Sequence, residues 1–537
     1  MKRHLALRAL LAGSALILSA PAWSQDPVPA ATAEPTEPDP SDAAADAAIA
    51  AAKPVDDAQA KIELLSQQVE ALQAQLDAIK VSMVKATPTW KGAPLFEDKD
   101  AGWSFKPRGR IQYDAGFTSN PNDSIVTRNL GFNTRVRRIR LGAEGTIPGG
   151  FGYKFEMDFA NAAVGFGDAI ITYAPANKPW SLTIGNHESL DGLEQITSSR
   201  FTSFMERAAF NDAFINTRRI GLSAGYVNKA GTFRANAGLF AAHSIDSTLD
   251  NDGWIGAARA VYSPLSAGNQ LHFGLNYQHR DFQSNNGATA SSSAGQPSVN
   301  QIARYRARPF TQLTDVRFVD TGNFAAKSDD IFGAEFIGIF KSFHVTAEGQ
   351  YLKSNAYGAG DTVTFNPATD DPVDALGVFA ANQVVPTGNP SFWGGYVEAG
   401  YFFTGETRGY KNGLWDRTKV LKPFGKGGWG ALELNGRVDY LDLDSSKLKN
   451  GCTNNFITGA CSLAAVNTRL GRGGKQLGFL ASVVWIPEDY MRFFLQYSHA
   501  QITGGPQAAL VDSTSSKAVD ERRYGVDTAG VRAQIDF

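Results

Sequence analysis

From Arg108 to its last residue the chain keeps returning to one pattern: apolar and polar residues alternate over segments of about ten residues. Ile111, Tyr113, Ala115 and Phe117 alternate with Arg110, Gln112 and Asp114. Phe151, Tyr153, Phe155, Met157 and Phe159 alternate with Gly152, Lys154, Glu156 and Asp158. Leu271, Phe273, Leu275 and Tyr277 do the same, as do Leu432, Leu434, Val438 and Tyr440. A period of two puts one set on each face of a strand. About ten residues is the length of a tilted strand crossing a bilayer. No later segment is an unbroken apolar run long enough to predict a transmembrane helix. An exported chain of this kind enters a membrane only as a closed barrel.

Sixteen segments fit the pattern: 109–117, 137–145, 151–160, 168–174, 180–187, 219–227, 232–241, 253–262, 270–281, 329–340, 343–353, 392–402, 429–440, 475–485, 490–500 and 523–537. The number is even, as in single-chain bacterial barrels. The joins carry a second signal. Even-to-odd joins are mostly short, and odd-to-even joins, such as 188–218 and 282–328, are mostly long. Short turns at one end and long loops at the other mark an outer-membrane barrel; a soluble β-sandwich needs neither feature. One join, 403–428, is long on the short side. The final segment alternates Ala529, Val531, Ala533 and Ile535 with Gly530, Arg532, Gln534 and Asp536, and ends on Phe537. A terminal aromatic resembles the signal read by outer-membrane assembly machinery.

Ahead of the barrel lie three different stretches. Lys2, Arg3 and Arg8 followed by the apolar run Ala9–Ala20 predict a signal peptide over 1–24, cleaved before Gln25. Residues 25–59 are rich in Ala, Pro and Asp without hydrophobic period, as in a disordered linker. Ile62, Leu65, Val69, Leu72, Leu76, Ile79 and Met83 then form a heptad seam, which predicts a coiled-coil helix over 60–85. The barrel is expected over 103–537, giving an all-β, 16-stranded antiparallel transmembrane β-barrel behind a short helix.

Composition narrows the function. The 537 residues carry a net charge of −2, which argues against general nucleic-acid binding. Seven histidines show no metal-ligand spacing. The two cysteines, Cys452 and Cys461, rule out a cysteine-rich metal site and are expected to pair locally in an oxidising compartment. Gly221-Leu222-Ser223-Ala224-Gly225 matches a hydrolase motif but lies inside an alternating strand, without the strand–turn–helix that motif needs. Neither an enzyme nor a cofactor is predicted.

Arginines carry the remaining signal. The stretch from Arg135 to Glu144 holds four of them, and its alternating phase breaks between Arg137 and Arg138. A uniform strand would turn two arginines to lipid, so pairing starts near Arg138 or a bulge turns the face there. The loop 188–218 is too apolar to stay in water, and folding it inward would carry Arg200 and Arg207 into the lumen. Arg304, Arg306 and Arg308 recur at alternate positions in a later loop. Guanidinium suits phosphate because its planar fork makes paired, charge-assisted hydrogen bonds.

Here the chain resembles the phosphate- and polyphosphate-selective porins of the O/P type. The matching stretches are Arg137 to Leu141, Gly167-Asp168-Ala169, Gly192-Leu193-Glu194 with Thr197-Ser198-Ser199, Met205-Glu206-Arg207 and Thr404-Gly405-Glu406. The resemblance implies a trimer with an anion-binding pore. It implies a constriction at Arg137, Arg138, Arg207 and Asp168, and a guiding ladder at Arg304, Arg306 and Arg308. Where the family carries a constriction lysine this chain has Gln195, which weakens the expectation of strict phosphate selectivity. The combined expectation is a Gram-negative outer-membrane porin passing phosphate, polyphosphate or related anions, with its N-terminal arm in the periplasm. Outer-membrane lipid and lipopolysaccharide are its expected surroundings. The alternatives are a general-diffusion porin and a structural envelope tether.

Overall fold

A computed structural model describes residues 54–86, 88–126, 128–160, 164–214, 217–242, 245, 253–282, 302–356, 362–363, 373–374, 385–449, 473–511 and 513–537. The expected signal peptide, most of the linker, and Cys452 and Cys461 lie outside the described residues. The chain divides into two units, Met1–Val81 and Ser82–Phe537.

The first unit contains most of helix α1, Pro54–Ala86, whose last turn falls in the second. Its seam residues Ile62, Leu65, Val69, Leu72 and Leu76 are all exposed. No helix among the described residues is long and apolar enough to cross a membrane.

The second unit is a closed barrel. Its strands are β1 (Trp103–Thr118), β2 (Phe132–Ile147), β3 (Phe151–Asp158), β4 (Gly165–Tyr173), β5 (Trp180–Glu188), β6 (Arg218–Val227), β7 (Phe233–Ala241) and β8 (Trp254–Tyr262). They continue with β9 (Asn269–Asp281), β10 (Phe324–Phe340), β11 (Phe343–Ala356), β12 (Ser391–Phe402), β13 (Ala431–Asp442), β14 (Lys475–Glu488), β15 (Met491–Thr503) and β16 (Arg523–Asp536). Each pairs antiparallel with the next, and β16 returns to β1 with Asp536 opposite Arg110 and Arg532 opposite Asp114. All sixteen expected strands are present. At the seam the Arg532 guanidinium donates to both Asp114 oxygens, at 2.6 and 2.7 Å. The terminal Phe537 exchanges both backbone hydrogen bonds with Gly109 at 3.0 Å. A Cβ on Gly109 would collide with the Phe537 ring, so that ring needs glycine beneath it.

Alternation sets the two faces. Leu141, Ile171, Leu239, Leu275 and Leu495 project outward and are exposed, while Gln112, Gln278, Arg437 and Arg532 project inward and are buried. An apolar outside with a polar inside is the pattern of a barrel immersed in lipid.

Two connections turn inward from the long-loop end. The third loop, 189–217, buries Leu193, Phe201, Phe204, Met205 and Phe210. The described part of the fifth, 302–323, adds Tyr305, Phe310, Val316 and Phe318 to the same core as Phe204 and Phe210. The barrel therefore encloses a hydrophobic core that these loops build together with strand residues such as Ile331, Leu352, Phe392 and Leu480.

The anomalous join, residues 403–430, also turns inward. It carries a small hairpin, Tyr410–Lys411 against Leu414–Trp415. Arg259 on β8 donates to the Gly413 carbonyl at 3.0 Å, and His272 Nδ1 meets the Tyr410 hydroxyl at 2.8 Å. Arg408 donates to the Phe201 carbonyl at 2.9 Å and lies over the Trp415 ring. The join is long because it reaches the underside of the third loop.

Candidate functional site: an arginine-lined constriction

Strand β2 brings its arginines inward through a bulge. Gln112 pairs with Arg138 but the next residue, Tyr113, pairs with Val136, which leaves Arg137 as the extra residue. An unpaired residue shifts the alternation by one. Arg135 and Arg137, which a uniform strand would turn to lipid, therefore reach inward to loop partners. Arg135 donates to the Gln312 carbonyl of the fifth loop at 2.9 Å. Arg137 donates to both oxygens of Glu206 in the third loop, at 2.8 and 3.0 Å. Arg138 donates to Gln112 Oε1 at 2.7 Å, and its buried Nε has no partner.

The third loop is held by carboxylates. Glu348 on β11 accepts the backbone N–H groups of Leu193 and Glu194 at 2.7 and 3.0 Å. Glu194 Oε2 in turn accepts the Ala208 N–H at 2.7 Å and Asn211 Nδ2 at 3.1 Å. Its other oxygen pairs with Arg437 at 2.5 Å. Glu194 thus ties the first half of the loop to the segment that carries Arg207. The Arg207 guanidinium donates to the carbonyls of Glu194 and Thr197, at 2.8 and 3.0 Å. It makes no ion pair among the described residues.

Arg137, Gln195, Glu206, Arg207, Asp212 and Arg308 converge on one cavity of about 210 Å³. Three strand and loop systems meet there, and four of the sequence-predicted residues line it. Charge is distributed unevenly among them. Arg137 is matched by Glu206. Arg308 is matched by Asp212 at 3.1 Å and Asp315 at 3.0 Å. Arg207 is matched by neither. Burial works against the Glu206 carboxylate, but the guanidiniums of Arg137, Arg532 and Arg138 hold it well below the usual carboxylate range.

The other predicted residues lie apart from this cavity. Asp168 pairs with Lys154 and with Arg218, the latter at 2.5 Å; Arg218 also meets Glu188 at 2.9 Å. Glu188 accepts from Gln195 Nε2 at 3.3 Å, so Asp168 connects to the cavity through a chain of polar contacts. Arg304 is clasped by Asp320, with contacts of 2.9 and 2.6 Å. Arg306 makes no ion pair among the described residues, and its Nε is buried without a partner. Burial and the nearby Arg304 pull its guanidinium down to about 10.

Sequence reasoning did not single out the acids that balance these arginines. Glu206 had a local signal, since it adjoins Arg207 in a charged pair. Asp212 had none: it meets Arg308 and Arg317 across a long sequence separation, with Arg317 at 2.6 Å.

A family model for phosphate-selective porin O and P matches residues 105–523. An uncharacterized protein of Caulobacter vibrioides is 34% identical over 458 residues, covering 84% of this chain and 77% of that protein. Porin O of Pseudomonas aeruginosa is 27% identical over 340 residues, 60% of this chain and 69% of its own length. Among solved structures, an anion-selective porin from Comamonas acidovorans covers 81% of this chain and 100% of its own, with 13% identity and a TM-score of 0.42. A likeness that distant adds nothing to the geometry above.

Proposed function

This chain belongs to the phosphate-selective porin O and P family and forms an outer-membrane β-barrel channel, and we propose that it passes phosphate-like oxyanions by binding-assisted diffusion. One observation carries the reading: Arg207 faces the constriction cavity with no carboxylate in ion-pair contact among the described residues. Such a guanidinium keeps donor capacity and a full charge for a passing anion. Its hold on the two carbonyls fixes its position, so little reorganisation is needed when an ion arrives. Arg137 and Arg308 add directional donors, but Glu206 and Asp212 cancel much of their charge. Binding is therefore weak enough for release, as conduction requires.

The same cancellation favours a second reading. A constriction with most arginines paired, and with Gln195 in place of lysine, suits general diffusion with only a mild anion preference. The two readings separate in a planar bilayer. With chloride as the current carrier, added phosphate should block wild-type current saturably, and Arg207→Gln should move the half-saturation to higher phosphate. Current indifferent to phosphate would leave only general diffusion.

The exposed seam on α1 supports a further part of the proposal: three copies of the helix assemble as a coiled coil on the periplasmic side. A chain lacking residues 54–86 should still insert and conduct, but its trimer should dissociate at lower temperature on semi-native gels. An unchanged dissociation temperature would remove that role.

A further inference from the structure

A second basin lies between the start of β2 and the fifth loop. It has a volume of about 310 Å³ and is lined by Arg128, Asn129, Asn133, Arg135, Gln312 and Thr314. Its wall is fixed: Asn133 Nδ2 donates to the Leu313 carbonyl at 2.9 Å, and Arg135 to the Gln312 carbonyl at 2.9 Å. Neither Arg128 nor Arg135 makes an ion pair among the described residues. Asp315 also lines the basin; its Oδ1 pairs with Arg308 at 3.0 Å, and its charge also acts on Arg135 without an ion pair to it. Gln312 lines both this basin and the constriction cavity. Arg135 and Arg137 stand on either side of Val136 at the β2 bulge, so the two cavities are consecutive.

The contrast with the fifth-loop arginines matters. Arg304 is clasped by Asp320, and Arg308 by Asp212 and Asp315. Two of the three supposed guiding residues are thus occupied by the protein's own carboxylates. The basin instead offers two guanidiniums without an ion pair among the described residues, Arg135 being tied only to the Gln312 carbonyl, with amide and hydroxyl groups around them. That donor set matches an anion presenting several oxygens, and gives chloride no directional advantage.

We propose that Arg128 and Arg135 form an outer oxyanion station that loads the constriction. This rests on the reading of the channel as an oxyanion pore. Its effect is kinetic: two unpaired charges at the mouth raise the local anion concentration and the rate of capture, and salt screens this.

The test uses purified full-length channel in bilayers free of lipopolysaccharide, with inorganic phosphate added to each face in turn. For Arg128→Gln with Arg135→Gln, the rate of phosphate block from the long-loop face should fall several-fold at low salt. Block from the other face should be unchanged, and the difference should vanish at high salt. Arg128→Gln alone, which removes no described hydrogen bond, should give part of the effect. Wild-type block from both faces, or equal weakening from both, overturns the station while leaving the constriction reading intact. A wild-type channel that phosphate never blocks overturns both. A difference that arises only once lipopolysaccharide is included assigns the basin to lipid phosphate and overturns the proposal.

Discussion

Arg207 and Glu206 are neighbours in sequence with opposite consequences for an ion in the pore. Arg207 makes no ion pair among the described residues and feels Glu188 and Glu194 only at longer range; Glu206 spends its charge on Arg137 and Arg532, the latter at 2.9 Å. A unit charge ~4 Å from an ion in water is worth ~1 kcal/mol, about fivefold in binding. Arg207→Gln should therefore weaken phosphate half-saturation by about that factor or more. Glu206→Gln should strengthen it by a similar factor, because it releases Arg137. A phosphate titration of single-channel current measures both, and movement in the same direction would refute the charge assignment. Acid should matter little in the working range. A carboxylate held below its unfolded value contributes stability above that unfolded value and loses it only as pH falls through the depressed one. Glu206 thus stays ionised between about pH 5 and pH 8, and the reversal potential in a salt gradient should be flat there. A step in that window that disappears in Glu206→Gln would show Glu206 titrating. Arg207 is legible in the sequence through its motif and its apolar loop. Its lack of a partner is not, because that depends on where Glu206, Asp212 and Glu194 point after folding.

At the scale of elements, the third loop depends on Gly192 and Glu348. Gly192 has φ 70° and ψ 162°, and a Cβ there would lie 2.4 Å from a Glu348 carboxylate oxygen. That backbone region is nearly exclusive to glycine and costs ~1–3 kcal/mol for other residues. Gly192→Ala should therefore push Glu348 off the Leu193 and Glu194 N–H groups, loosen the loop and add noise to the open-channel current. A quiet, wild-type trace would contradict this account of the latch. The inward join makes a separate claim. Replacing the hairpin 410–415 with a short glycine–serine link should raise conductance while leaving the heat resistance of the barrel intact. Unchanged conductance would mean the join does not narrow the path. The bulge at Arg137 is legible, since two arginines cannot share a lipid face. The inward course of 403–430 is not: its length is visible, but the contacts of Arg408 and Tyr410 with distant strands leave no local pattern.

For the whole molecule, strand number and closure follow from alternation alone. A period of two survives because each strand meets lipid on one side and polar groups on the other. The boundaries shifted by a few residues where strands extend beyond the apolar band, as β10 does by beginning at Phe324. Fold and architecture were thus more accessible than the site, whose charge balance is set by contacts between loops. The central claim is that the channel prefers phosphate-like anions because Arg207 is left without an ion pair at the constriction. The most direct measurement is the single-channel current of the wild type and Arg207→Gln in a potassium chloride gradient, with phosphate then added. The account predicts an anion-selective reversal potential and saturable phosphate block in the wild type, with selectivity reduced and half-saturation moved about fivefold or more to higher phosphate in the variant. A cation-selective wild type, or a variant that phosphate blocks as strongly as the wild type, would contradict it.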